Sequence, residues 1–392
     1  MKRTYNDKHN IMYMKNAKTR LNIRSSNWFY IANLKVVTAS LLLLAHLIVA
    51  SRNLSEIKEV ESDFTNMSGS ESSRENEVVM DTTISDYDII IGDGKIIDGT
   101  GNAWYYGDIG VMNDKIMKIG NLKKCTAKRR IDADGMFISP GFIDMHTHSD
   151  RSILKVPTAD NFIRQGITTT VAGNCGASRL PIVEFLDKVN KDNKSINFIT
   201  LVGHSSIRKQ VMGQENRLPS KVELSEMQRI VRESMEAGAF GLSTGLFYTP
   251  ANYADTEEII ELAKIVAIYG GIYASHIRDE GRGLLDAINE AIQIGKKAGL
   301  PVQISHIKCE GKQVWNKSKE VLNIIKNGRE EGVDVLFDQY PYTASSTHIW
   351  GALFPSWAKE GGPSEFFERL EDKDVEEKII LEMQEKIGRA HV

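Results

Sequence analysis

Pro140-Gly-Phe-Ile-Asp-Met-His-Thr-His148 is the stretch on which the reading of this chain turns. With Met136-Phe-Ile-Ser before it, it makes an apolar run that predicts a β-strand running up to His146 and His148. Side chains alternate faces along a strand, so two imidazoles two residues apart can grip one divalent ion. At the end of a barrel's first strand that ion would sit where such folds do chemistry. A lone His-x-His is weak evidence, because two unrelated surface histidines give the same pattern.

C-terminal to this stretch the pattern alternates. Strand candidates are Gly141–His146, Ile167–Gly173, Asn197–Gly203, Ala239–Gly245, Gly271–His276, Pro301–His306 and Val333–Asp338. Between them, Leu224–Ala237, Thr256–Tyr269, Gly283–Ala298 and Lys317–Glu331 carry apolar stripes at helical spacing. Gly238, Gly270 and Gly299 stand where helices stop. Alternating β and α units imply a parallel sheet. The expected fold over 138–392 is a (β/α)8 TIM-like barrel, C-terminally truncated, with its eighth strand missing. Such an open barrel would expose two strand edges.

N-terminal to it, residues 86–137 read as a small β-unit, expected as a β-sandwich, with strands Tyr87–Gly92, Gly94–Asp98, Tyr106–Val111 and Lys115–Gly120. Residues 51–85 are rich in Ser, Glu, Asn and Asp and read as a disordered linker. Residues 1–50 join a basic leader to an apolar core, Val36–Ala50, in the pattern of a signal peptide. That core is shorter than the ~20 residues of a spanning helix, although Trp28-Phe-Tyr-Ile-Ala extends its apolar character backwards. The expectation is export, with an uncleaved membrane tether as the alternative. A net charge of -3 over 392 residues argues against bulk nucleic-acid binding. Three cysteines, Cys125, Cys175 and Cys309, do not suggest a disulfide framework.

Potential ligands close several of these strands. Cys175 follows the second, His276 ends the fifth and His306 ends the sixth. Singly, a buried cysteine is a common small hydrophobe, and a strand-end histidine can simply cap a carbonyl. Together they converge on the rim where barrel loops meet. Cys, His and His with an open fourth position make a catalytic zinc set, and His146 with His148 could hold a second ion.

The chain resembles a known family at these residues. Pro140–His148 looks like the first-strand signature of the amidohydrolase superfamily. Gly173-Asn-Cys-Gly, Gly241-Leu-Ser-Thr-Gly-Leu-Phe-Tyr-Thr-Pro, Ala274-Ser-His-Ile-Arg-Asp-Glu and Ser305-His-Ile-Lys-Cys-Glu-Gly narrow the resemblance to the N-acyl-D-amino-acid deacylases, or D-aminoacylases. The resemblance runs from about Tyr87 to the end. It implies zinc bound tightly by Cys175, His276 and His306, and a weaker second site at His146 and His148, with Cys175 as the candidate bridge between the two. It implies hydrolysis of the amide of a small N-acyl-D-amino acid to a carboxylate and a free D-amino acid. Zinc would activate water and polarise the carbonyl. Tyr248 would hydrogen-bond the tetrahedral oxyanion, a donor worth ~3 kcal/mol, and Lys308 and Tyr340 would meet the substrate carboxylate, with Tyr342 the rival to Tyr340. The resemblance places the general-base aspartate, and a carboxylate-binding arginine, beyond Val392. Asp338 is a poor stand-in, being on a different strand. Tyr248 also reads as a packing aromatic, Lys308 as a surface charge, and Arg278 with Glu280 either as a support for the loop of a metal histidine or as a surface ion pair. His204 reads as structural, and Cys125 and Cys309 receive no role. Two other readings compete. A cyclic-amide hydrolase of the hydantoinase or dihydroorotase kind usually needs a strand-four lysine, which Ser243-Thr-Gly does not offer. A catalytically silent, truncated metal-binding protein is the other.

Overall fold

A computed structural model describes residues 85–191 and 193–390. The leader, and all but the last residue of the linker, lie outside those residues. Among the described residues no helix is long and apolar enough to cross a membrane. The chain divides into two compact units, Met1–Pro140 and Gly141–Val392.

The first unit is built on β1 (Tyr87–Ile96), β2 (Tyr105–Met112), β3 (Lys115–Gly120), β4 (Ala127–Asp132) and β5 (Phe137–Ile138). They form one sheet in the order β3-β2-β1-β4, with β5 also paired to β1. A sandwich needs a second, facing sheet, and none lies among the described residues of this unit. Two expected strands are in fact one. Gly92-Asp-Gly94 reads as a turn, but the chain does not reverse there. The register slips between Ile91 and Gly94, and Asp93 takes φ 60, which makes a bulge inside β1. Gly94 allows it: a Cβ there would lie 2.4 Å from the Ile138 Cδ1. Strand β4 escaped the sequence reading because Lys128, Arg129 and Arg130 hide its alternation, as charged edge strands do.

The second unit follows the expected alternation. Its parallel strands are β6 (Phe142–Asp144), β7 (Ile167–Ala172), β8 (Asn197–Thr200), β9 (Val202–Gly203), β10 (Gly241–Gly245), β11 (Ile272–His276), β12 (Val302–Ile304) and β13 (Val335–Phe337). Strands β8 and β9 are the two halves of the expected third strand, separated at Leu201; β8 pairs with β7 and β9 with β10. The wall therefore runs β6-β7-β8 and then β9-β10-β11-β12-β13.

The helices are α1 (Asp160–Ile163), α2 (Ile182–Lys191), α3 (His204–Met212), α4 (Lys221–Glu236), α5 (Thr256–Ile268), α6 (Leu284–Ala298) and α7 (Ser318–Glu330). After β13 come α8 (Ile349–Ala352), α9 (Pro363–Arg369) and α10 (Lys373–Ala390). Helix α4 starts at a capping box in which Ser220 and Glu223 satisfy each other's backbone N–H. Helix α6 stops where Gly299 turns left-handed at φ 76. Val202, Leu242, Tyr273 and Ile304 of the strands pack with Ile230, Ile260, Ala263 and Ile288 of the helices in one core. Each fully buried aliphatic side chain contributes about 1.5–3 kcal/mol. This rigid wall leaves the loops after β7, β10, β11, β12 and β13 to carry the polar residues.

Candidate metal centre

Every candidate side chain of the second unit stands at or just past the C-terminal end of a strand. Cys175 is three residues beyond β7, Tyr248 three beyond β10, His276 is the last residue of β11, His306 is two beyond β12 and Tyr340 three beyond β13. One ligand atom each from Cys175, His276 and His306 lie within 4.8 Å of one another, and so do those of His146, His148 and Cys175. Cys175 is common to both groups. Its Sγ is 3.4 Å from His146 Nε2 and 3.7 Å from His306 Nε2. The rings of His276 and His306 are 4.4 Å apart, and those of His146 and His148 are 5.7 Å apart.

Two expectations rested on strands that are shorter than the sequence implied. Strand β6 ends at Asp144, so His146 and His148 occupy the turn after it rather than one strand face. Their position comes from hydrogen bonds instead. The Thr147 N–H donates to Val171 O at 2.9 Å, and the His146 N–H donates to Asp144 Oδ1 at 3.1 Å. Strand β12 likewise ends at Ile304, before His306 and Lys308.

The loop that carries Cys175 is tied down on both sides. Asn174 is buried, and its Nδ2 donates to Val171 O at 2.9 Å and approaches Met145 O and Thr147 O at 3.4 Å each. Ser243 accepts from the Gly176 N–H at 3.1 Å and donates to Gly173 O at 2.5 Å. A Cβ at Gly245 would meet Cys175 O at 2.4 Å, so only glycine lets β10 approach this closely. Cys175 and His306 themselves have φ 54 and φ 37. Left-handed backbone at a non-glycine residue costs on the order of 1–3 kcal/mol and gathers at functional sites.

The electrostatics suit a cation. Burial holds the His146 imidazole down at about 4, the neighbouring His306 and His148 adding to the effect against the pull of Asp338. Burial brings His276 down to about 3. These rings are neutral at pH 7 and present lone pairs. Burial pushes the Cys175 thiol up to about 12, with Glu280 and Asp338 adding to it. A cation is therefore needed to draw off that proton. A tetrahedral zinc with bonds of about 2.0–2.3 Å sets its ligand atoms roughly 3.3–3.7 Å apart, which the two sulfur–nitrogen distances match. His146 Nδ1 and His276 Nδ1 are buried without a hydrogen-bond partner. The donor set and the spacing fit zinc.

Around the ligands, Asp338 Oδ1 accepts from the His306 N–H at 2.7 Å and lies 3.6 Å from His146 Nδ1, while its Oδ2 accepts from Gln303 Nε2 at 2.8 Å. Both oxygens are engaged, so Asp338 braces the centre. Glu280 Oε1 lies 3.0 Å from His306 Nδ1 and 2.5 Å from Lys308 Nζ. Burial raises the Glu280 carboxyl, but the His306 hydrogen bond and the charges of His276, Lys308 and His306 outweigh it, bringing it down to about 2. Arg278 does not share this task. It pairs with Glu290 at 2.8 Å and donates to Asn252 O and Ala254 O at 3.1 Å each, which fastens the loop that carries Tyr248. The Tyr248 ring is 4.8 Å from that of His276, and its OH is 3.0 Å from Thr347 Oγ1. Lys308 Nζ stands 5.6 Å from the centre of the Tyr340 ring, whereas Tyr342 is 75% exposed. Sequence reading missed Asn174, Thr347 and the bracing by Asp338. Asn174 could have been found, since it stands inside the Gly-Asn-Cys-Gly motif. His204 is buried, bonded to Glu258 at 2.7 Å.

Comparison with known proteins bears on the fold and the family. Residues 129–353 match the model of the amidohydrolase family. The chain is 35% identical over 321 residues to a D-aminoacylase of Alcaligenes xylosoxydans xylosoxydans, covering 74% of this chain and 65% of that one. The solved structure of an N-acyl-D-glutamate deacylase from Bordetella bronchiseptica, complexed with zinc and a phosphonate that mimics the tetrahedral intermediate, matches with 35% identity and a TM-score of 0.64, over 65% of this chain and 59% of that one. A D-aminoacylase structure described for its binuclear metal centre matches with 38% identity and a TM-score of 0.63, over 65% of this chain and 59% of that one. The chain spans 58 to 65% of the length of the first curated relatives. By family match over residues 129–353 this chain belongs to the amidohydrolase family, and the D-aminoacylases are similar to it in sequence and fold.

Proposed function

We propose that this chain carries the metal-binding part of a zinc-dependent hydrolase that cleaves N-acyl-D-amino acids to a carboxylate and a free D-amino acid. The observation that carries the reading is the meeting of Cys175 with His276 and His306, and with His146 and His148, on one rim. Cys175, His276 and His306 hold the tight ion, and His146 and His148 serve a weaker second one. The parallel wall is read as part of an eight-stranded barrel, and the first unit as part of a sandwich. Export or anchoring through the apolar segment 36–50 belongs to the same reading.

When bound, zinc supplies Lewis acidity, which polarises an amide carbonyl and makes water more acidic. The chain's own residues do the rest. Cys175 gives up its thiol proton on loading, which neutralises part of the added charge. Burial raises the Tyr248 hydroxyl above its usual value, so Tyr248 stays protonated. It can turn from Thr347 to donate to the oxygen that gains charge as the amide is attacked. Lys308, held over Tyr340, meets the substrate carboxylate. By resemblance, an aspartate is the base that takes water's proton and returns it to the leaving nitrogen. A cyclic-amide hydrolase is disfavoured at position 243, where a lysine would be needed and the Ser243 hydroxyl is committed to Gly176 and Gly173.

The test is elemental analysis of the purified protein, with release of D- against L-amino acid from N-acyl substrates with zinc supplied or chelated. Absence of a transition metal, or release of the L-amino acid as readily as the D-, overturns the reading.

A further inference from the structure

Glu280 stands in an unusual position. It is buried, and one oxygen, Oε1, contacts both His306 Nδ1 at 3.0 Å and Lys308 Nζ at 2.5 Å. Lys308 Nζ is itself 3.0 Å from His306 Nδ1. The two contacts to Nδ1 are rivals. A neutral imidazole has one N–H and one lone pair. If Nδ1–H donates to Glu280, the lone pair is on Nε2, the nitrogen that stands 3.7 Å from Cys175 Sγ. If Nδ1 accepts from Lys308, the hydrogen moves to Nε2 and that nitrogen can no longer bind a metal. A carboxylate oxygen has room for two donors, so Glu280 can hold the histidine and the lysine together.

We infer that Glu280 is a positioning residue which fixes the His306 tautomer for metal binding and diverts Lys308 from His306, joining the metal centre to the lysine assigned to the substrate carboxylate. The inference rests on the metal-centre reading above. It assigns Glu280 no contact with substrate. Partners that hold the second nitrogen of a metal-binding histidine are typically worth 10- to 100-fold in metal affinity. Here the loss has a specific cause, because removing Glu280 hands Nδ1 to Lys308.

The test measures zinc affinity of the full chain by competition with a chelator, and the sulfur-to-cobalt charge-transfer band of the cobalt-loaded chain. Glu280→Ala is expected to weaken zinc binding about 10- to 100-fold. The double variant Glu280→Ala with Lys308→Met is expected to recover most of that loss, because no donor then competes for Nδ1. A merely structural role for Glu280 would show no such recovery. Glu280→Gln keeps the shape and one acceptor oxygen, so a loss of a few-fold is expected; it carries the test if the alanine variant does not fold. His306→Ala separates the two ideas. If it loses the metal while both Glu280 variants bind zinc as the parent does, or if the double variant shows no recovery, the role of Glu280 is overturned and the metal centre stands. If His306→Ala keeps its zinc, the metal-centre reading fails and the inference falls with it.

Discussion

Two clusters in the second unit share one composition, a histidine, a glutamate and a cation, and they do different things. In the first, Glu258 Oε1 meets His204 at 2.7 Å and Oε2 meets Arg208 at 2.5 Å, with side chains 0% exposed for His204 and Arg208 and 1% for Glu258. In the second, Glu280 meets His306 and Lys308, whose side chains are 13% and 17% exposed. The first is closed: both carboxylate oxygens are taken, and His204 opens a regular helix after Gly203. The second is open: Glu280 uses one oxygen for two partners, and His306 has a left-handed backbone. A sealed cluster whose carboxylate uses both oxygens holds a fold together. A part-exposed cluster with a left-handed backbone beside a thiol is the one the proposed metal centre uses.

The largest expected effect breaks the open cluster alone. Cys175→Ser should weaken zinc binding by about 100-fold or more, beyond what loss of a bracing residue costs, with the metal-free unfolding transition little changed; chelator competition and a thermal melt check both. Next, Tyr248→Phe should lower D-amino-acid release about 100-fold, the worth of one lost oxyanion donor. Its zinc content should equal that of the parent. If that content falls, Tyr248 belongs to the metal centre instead.

The closed cluster is tested through stability. Glu258→Ala leaves Arg208 buried without its counter-charge and His204 without its hydrogen-bond partner, and should cost about 3–5 kcal/mol in denaturant unfolding, with zinc affinity retained. Its pH dependence has a definite sign. Burial raises the Glu258 carboxyl, but His204 and Arg208 outweigh it and hold it below its ordinary value. The stabilisation it provides is therefore complete above the unfolded pKa of about 4.3 and is lost as pH falls through the lower folded value. Unfolding curves at pH 7 and between pH 5 and 3 should show this loss in the parent and a smaller one in Glu258→Gln. The smallest effect is a control outside both clusters: Ser220→Ala removes the cap of α4 and should cost about 1 kcal/mol, measured the same way.

How much of this was legible in the sequence follows from the range of each interaction. The helix that ends at Gly299 and the strand at Ile272–His276 could be read because hydrophobic period and left-handed glycine are local signals. The bulge at Asp93 was misread as a turn, because Gly-Asp-Gly has the same local chemistry in both. Its packing against Ile138, far along the chain, decides between them. Arg278 and Glu280 looked like one pair, being two residues apart. In space they part, one fastening the loop of Tyr248 and the other the ring of His306.

By itself the sequence determined the alternation of strands and helices, the strands at or just past whose ends Cys175, His276 and His306 stand, and the kinship those motifs express, because periodicity and motif spacing are written along the chain. Only the tertiary structure decided that Glu280 faces His306 rather than Arg278, that Asp338 has both oxygens occupied, and that Cys175 and His306 bend left-handed. Those outcomes depend on groups up to 131 residues apart coming within 4 Å, and such distances are settled by packing, which no local pattern encodes.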